Sequence, residues 1–232
     1  MLRMAVTILQ PMTDRAPIGI FGGTFDPVHF GHLRLAEEAR EQLGLAAVRW
    51  IPAGQPPHRG TPRSEPRHRL EMVRLAIAGH PAFHLDDAEA VSADSSYTVP
   101  TLMRLRTELG SERPLVLLLG ADAFLGLETW HRWRELFLLA HVAVATRPGN
   151  PLDVARMPEA LATEFTTRCG HSTVALSENP AGRILPFSIT ALDISATQLR
   201  SHFAAGRSAR YLLPEPVLDY IFYHQLYLPS HS

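Results

Sequence analysis

The stretch Ile18-Gly19-Ile20-Phe21-Gly22-Gly23-Thr24-Phe25-Asp26-Pro27-Val28-His29-Phe30-Gly31-His32 decides the fold of this chain. Ile18 to Phe21 is a short apolar run and predicts a buried strand. Gly22 and Gly23 end it. From Gly31 to Leu43 the pattern turns helical, with Leu35, Ala36, Ala39 and Leu43 on one face and Arg34, Glu37, Glu38, Arg40 and Glu41 on the other. Gly44 follows where a C-cap sits. A strand, a glycine loop and a helix in this order form the corner where α/β sheets hold phosphate. The loop is not the G-x-G-x-x-G dinucleotide fingerprint, and it has no lysine for a P-loop.

The alternation continues outward from that corner. Val48 to Ile51 predicts a second strand, and a proline-rich loop runs from Pro52 to Pro66. Arg67 to Ala78 predicts a helix with Leu70, Val73 and Ile77 in line, and Phe83 to Leu85 a third strand. Pro100 to Leu109 predicts a helix with proline in its first turn. Leu115 to Leu119, ending in Gly120, is continuously apolar, as parallel strands covered on both faces are. Trp130 to Ala140 predicts a helix and Val142 to Ala145 a strand. Between 147 and 190 the pattern predicts a helix near Pro158 to Arg168 and short strands near Val174 and Ile184. Ser195 to Ala205 and Pro214 to Leu226 predict the last two helices. Together these give a Rossmann-like, doubly wound parallel sheet with a helical C-terminal portion. Residues 1–17 read as a flexible extension or an upstream start, and 18–232 as a single domain. The loop 52–66 reads as functional, because strand and helix units continue on both sides of it.

Composition narrows the chemistry. All 22 basic residues are arginine, set against 23 acidic ones, for a formal net charge of -1. That balance argues against a general nucleic-acid coater, which needs a basic face. Without lysine there is no Schiff base and no covalent lysyl-nucleotide intermediate. Phosphate must be met by arginine, histidine, backbone N–H groups and metal. The lone Cys169 forms no internal disulfide and fits a cytoplasmic setting. No apolar run approaches the ~20 residues of a membrane span. The first 17 residues lack the pattern of a secretory signal.

Within the first motif, Gly22 and Gly23 let backbone N–H groups approach a polyanion. His29 and His32, three apart, share one side of a first helical turn, beside unsatisfied N–H groups and the positive end of the helix dipole. Two imidazoles placed there can donate to charge developing on a phosphate, and Gly31 between them gives the nucleotide close access. The plain alternative is a tight turn with two surface histidines. A zinc site would need further ligands, and Cys169 offers none nearby. The string resembles the T/G-x-F-D-P-x-H-x-G-H signature of the nucleotidyltransferase superfamily. That resemblance implies nucleotidyl transfer from a nucleoside triphosphate, with pyrophosphate released and Mg²⁺ assisting.

The second motif is Ile194-Ser195-Ala196-Thr197-Gln198-Leu199-Arg200. Ser195 is a natural N-cap, Thr197 lies in the first turn, and Arg200 is five positions beyond the cap. Hydroxyls, free N–H groups and a guanidinium make a second anion site. Alone, the segment is equally a capped helix. Beside the first motif it resembles the superfamily's I-S-[SA]-T-x-x-R element, which implies a grip on the triphosphate. By this resemblance Gly22, Gly23, Thr24, Phe25, His29, His32, Gly120, Arg147, Ile194, Ser195, Thr197 and Arg200 bind ATP. His29, His32 and Arg200 would be catalytic, and Mg²⁺ would be bound through phosphates rather than protein side chains.

Three further segments bear on the acceptor. Pro56-Pro57-His58-Arg59 follows the second strand, Ser96-Tyr97-Thr98 precedes a helix, and Gly120-Ala121-Asp122 ends the buried strand, with Thr129-Trp130 further on. Trp130 offers a face for an electron-poor ring, or simply packs in the core. Asp122 is a candidate for a ribose hydroxyl, or a solvated loop acid. Thr98 and nearby N–H groups suit a carboxylate. His58 and Arg59 suit an acceptor phosphate, or are a solvated loop. With Arg147-Pro148-Gly149 and Leu212-Leu213-Pro214-Glu215-Pro216-Val217, the set resembles the bacterial nicotinate mononucleotide adenylyltransferases over about Ile18 to Leu226. One departure is Ala53-Gly54, where relatives often carry Asn.

The resemblance implies transfer between ATP and nicotinate mononucleotide, with His58, Arg59, Tyr97, Thr98, Asp122 and Trp130 on the acceptor. It implies small-molecule partners only, with no nucleic acid and no membrane, and leaves a homo-oligomer open. The rivals are pantetheine-phosphate adenylyltransferase, a preference for the amide mononucleotide, a non-catalytic nucleotide sensor, and a metal hydrolase using scattered histidines and Asp86-Asp87.

Overall fold

A computed structural model describes residues 15–56, 62–149, 151–170 and 172–229. The predicted extension falls almost wholly outside them. The elements are β1 Ile18–Gly23, α1 Phe30–Gln42, β2 Ala47–Pro52, α2 Pro66–Ile77, β3 Phe83–Leu85, α3 Thr98–Leu109 and β4 Leu115–Gly120. Then come α4 Ala121–Leu125, α5 Leu136–Leu139, β5 His141–Thr146, α6 Glu159–Arg168, α7 Val174–Glu178, β6 Ile184–Ser188, α8 Ala196–Ala204 and α9 Glu215–Tyr223.

The six strands form one sheet, in the order β3-β2-β1-β4-β5-β6, with every pairing parallel. Alternate residues of each strand face opposite layers. In β4, Val116 and Leu118 join a core with α1, α2, α8 and α9, through Leu35, Met72, Leu199 and Val217. Leu115, Leu117 and Leu119 join a second core with α3 to α6, through Leu102, Phe124, Phe137 and Leu161. This is why β4 reads as unbroken apolar sequence. The chain winds outward both ways from β1 and β4, so the loops after these strands part and leave a crevice at their carboxyl ends.

Side chains that would be costly to bury are satisfied within the layers. His141 in β5 is fully buried; its Nε2 lies 2.8 Å from the Asn179 carbonyl and its Nδ1 accepts from Arg183 N–H. Arg106 donates to the carbonyls of Leu139, Pro180 and Arg113, tying the end of α3 to the segments before β4, β5 and β6. Among the described residues no helix is long and apolar enough to cross a membrane.

Two predicted elements differ. Trp130 to Ala140 is not one helix. Trp130 is extended, Arg132 adopts the left-handed region (φ 57°), a 3₁₀ turn covers Trp133–Glu135, and only Leu136–Leu139 is α-helical. The break turns Trp133 into the core while Trp130 faces the crevice. The strand expected near Val174 is the short helix α7. Val174 is exposed and Leu176 alone in α7 is buried, so no strand face forms. In α2 the buried stripe is Arg69, Met72, Val73 and Ile77, with Leu70 at its margin.

Leu118 is 1% exposed at the centre of the sheet. Leu118→Ala is expected to cost about 2–5 kcal/mol of stability. Urea unfolding would read this as a lowered midpoint at unchanged slope.

Candidate active site

The crevice is a cleft of about 1510 Å³, built from the loop after β1, the ends of β4 and β5, and the start of α8. Every residue assigned above to ATP lines it: Gly22, Gly23, Thr24, Phe25, His29, His32, Gly120, Arg147, Ile194, Ser195, Thr197 and Arg200. Asp122 and Trp130 line it too. Asp122 is exposed in the first turn of α4, and Trp130 is half-buried, packed on the core and facing the cleft. Tyr97 and Thr98, at the start of α3, stand outside this set. The Tyr97 ring lies 4.8 Å from that of His131, the residue after Trp130. His58 and Arg59 fall outside the described residues.

α1 starts where the sequence places it. His29 is its N-cap, and the His29 N–H donates to His32 Nδ1 at 3.2 Å. In the neutral ring this leaves the proton on His32 Nε2. The two imidazoles stack, 3.7 Å between centroids at 30°. Stacked cations would repel, and burial lowers His29 to about 4, so His29 is neutral at pH 7. Gly31 serves the packing of the motif itself. A Cβ there would sit 3.0 Å from His29 Nδ1, so the glycine makes room for the ring. One N–H at the start of α1 is already used: Phe30 N–H donates to the Leu212 carbonyl of the L-L-P turn.

α8 starts with a capping box. Ser195 Oγ accepts from Gln198 N–H, and Gln198 Oε1 accepts from Ser195 N–H. Arg200 then bridges the two motifs. Its Nη1 donates to the Asp26 carbonyl at 2.7 Å and its Nη2 to Thr197 Oγ1 at 3.2 Å. Arg147 is exposed, with Asp193 3.7 Å away.

Three residues at the site were not singled out by local pattern. Asp26 is buried; its Oδ2 accepts from Arg63 N–H and its Oδ1 from Tyr227 O–H at 2.6 Å. Tyr227, near the other end of the described chain, stacks on Phe203 and has its hydroxyl pushed well above the usual tyrosine value by burial and by Asp26. Arg69 is fully buried beneath the loops. Asp26 lies inside the first motif, and Arg69 sits on the apolar stripe of α2; a charge on a buried face was the available signal.

A cytidylyltransferase-like family model matches residues 20–202. A Dechloromonas aromatica protein named probable nicotinate-nucleotide adenylyltransferase is 60% identical over 92% of this chain and 99% of its own. The chain belongs to the nicotinate-nucleotide adenylyltransferase family. A Halorhodospira halophila member is 52% identical over 86% of this chain and 90% of its own. The fold is also that of Plasmodium falciparum nicotinic acid mononucleotide adenylyltransferase complexed with NaAD. That structure has a TM-score of 0.70 at 17% identity, covering 92% of this chain and 98% of that one.

The buried histidine of this family member makes stability depend on pH. Unfolded, the ring takes a proton near 6.5; folded, near 4. Between these values the unfolded chain binds more protons, so this contribution is full above pH 6.5 and lost as pH falls toward 4, about 3 kcal/mol in all. Urea unfolding at a series of pH values should show a flatter acid limb for His29→Asn than for the natural chain. Parallel limbs would assign the buried histidine no part in it.

Proposed function

We propose that the chain joins ATP and nicotinate mononucleotide, giving nicotinate adenine dinucleotide and pyrophosphate, a step of NAD biosynthesis. The carrying observation is the convergence of two helix starts, α1 with His29 and His32 and α8 with Ser195, Thr197 and Arg200, in one cleft. Membership of the family supports the acceptor.

A phosphate oxygen of the mononucleotide attacks the α-phosphorus of ATP in line, the bond from that phosphorus to the β-bridging oxygen breaks, and pyrophosphate leaves. The nucleophile is already an anion, so no general base is needed. Positioning and charge stabilisation carry the rate. His32, its Nδ1 held by the His29 backbone, presents its Nε2 proton toward phosphate. Arg200, Ser195 and Thr197 hold the leaving β- and γ-phosphates. Trp130 and Asp122 take the acceptor's ring and ribose. Among the described residues no three His, Cys, Asp or Glu side chains converge on a metal position. Asp26 has both carboxylate oxygens engaged. Mg²⁺ carried in on the phosphates of ATP would supply neutralisation of the charge that develops on pyrophosphate. Small molecules are the partners, and the lone cysteine suits the cytoplasm.

The test is pyrophosphate release from Mg-ATP with nicotinate mononucleotide, nicotinamide mononucleotide or phosphopantetheine as acceptor. The nicotinate form is expected to turn over fastest; turnover with another acceptor alone would overturn the assignment. His32→Ala should fold normally and lose about 100-fold or more in kcat. Near-normal turnover would remove His32 from the reaction.

A further inference from the structure

Arg69 is 0% exposed, and among the described residues its hydrogen bonds all run to backbone carbonyls. Nη1 donates to Thr24, in the nucleotide loop after β1, at 3.0 Å, and closely to Ala53, after β2. Nη2 donates to Gly54 at 2.7 Å, and Nε to Ser64, before α2, at 3.2 Å. One planar cation thus ties the loop after β1 to both ends of the loop between β2 and α2.

The ties continue toward the acceptor side. Gly54 N–H donates to Ser96 Oγ at 2.9 Å, and Ser96 N–H donates to the Gln55 carbonyl. Ser96 is the residue before Tyr97 and Thr98. A Cβ at Gly54 would collide with the Glu89 carbonyl, so the close packing of the 86–97 segment admits only glycine here. Glu89 in turn accepts from Thr101 in α3. A buried charge costs several kcal/mol unless dipoles surround it. The carbonyls satisfy that need only while both loops keep their places.

We infer that Arg69 is a positioning residue that couples the two substrate sites, so that ordering the nucleotide loop around ATP also orders the Ala53–Gly54 turn and the Ser96–Thr98 segment for the mononucleotide. The inference rests on the adenylyl-transfer reading above. Its physical basis is shared ordering: the first ligand fixes loops that the second would otherwise have to fix. Lysine cannot replace Arg69, because an ammonium offers three donors from one point and cannot span four carbonyls.

Calorimetric titration of nicotinate mononucleotide, with and without a non-hydrolysable ATP analogue, tests the coupling. The natural chain should bind the mononucleotide about fivefold or more tighter with the analogue present. In Arg69→Lys the ratio should drop below about twofold, at a binding stoichiometry near one. Loss of folded protein alone lowers the stoichiometry and leaves the ratio unchanged, so a natural ratio in folded Arg69→Lys overturns the proposal. Ser96→Ala cuts the next link without disturbing a buried charge, should lower the ratio in the same direction, and decides the matter if Arg69→Lys fails to fold. A natural chain that turns over both substrates but shows no coupling also overturns it. No binding or turnover of the mononucleotide at all would instead strike the adenylyl-transfer reading.

Discussion

The guanidinium of Arg200 donates to the Asp26 carbonyl across 174 residues of sequence, and the site depends on that bond. It fixes the second motif against the first. Arg200 thereby spends one edge on the protein and keeps the other beside Thr197, at the rim of the cleft. The two motifs are brought near each other because α8, though it follows the edge strand β6, packs through Leu199 and Phe203 in the same core as α1. The local contacts then set the spacing. Gly31 admits the His29 ring, the ring stacks on His32, and the Leu212 carbonyl closes the start of α1.

Arginine is used here in two distinct ways. Arg200 and Arg147 face the cleft, where a fixed cation suits an anionic ligand. Arg69 and Arg106 are turned inward, each gathering several carbonyls that end or precede regular elements. Such a role needs donors spread across a plane, which an ammonium lacks. A lysine-free composition is therefore compatible with both the packing and the chemistry.

The strands were legible because a parallel sheet covered on both faces writes itself as short apolar runs, as in Leu115 to Leu119. The two helix starts that line the cleft were legible because their residues are contiguous. What was not legible depends on distant partners. Nothing near Tyr227 says that its hydroxyl meets Asp26. The left-handed turn at Arg132, between Trp130 at the cleft and Trp133 in the core, is not encoded in helical periodicity. Val174 reads as β-forming, yet with its side chain in solvent no strand face forms. That Gly54 packs against the Glu89 carbonyl likewise depends on a segment 35 residues away in sequence.

The contact between Tyr227 and Asp26 has a bearing on biosynthesis. The ribosome delivers the nucleotide loop early, with a carboxylate that the finished fold buries. The tyrosine that satisfies this carboxylate arrives 201 residues later. Until then one of the loop's buried acceptors lacks its donor, and burying it bare would be unfavourable. A stretch of chain made long after the first motif is thus the one that locks it, so a product terminated before Tyr227 would carry the signature sequence without a settled site.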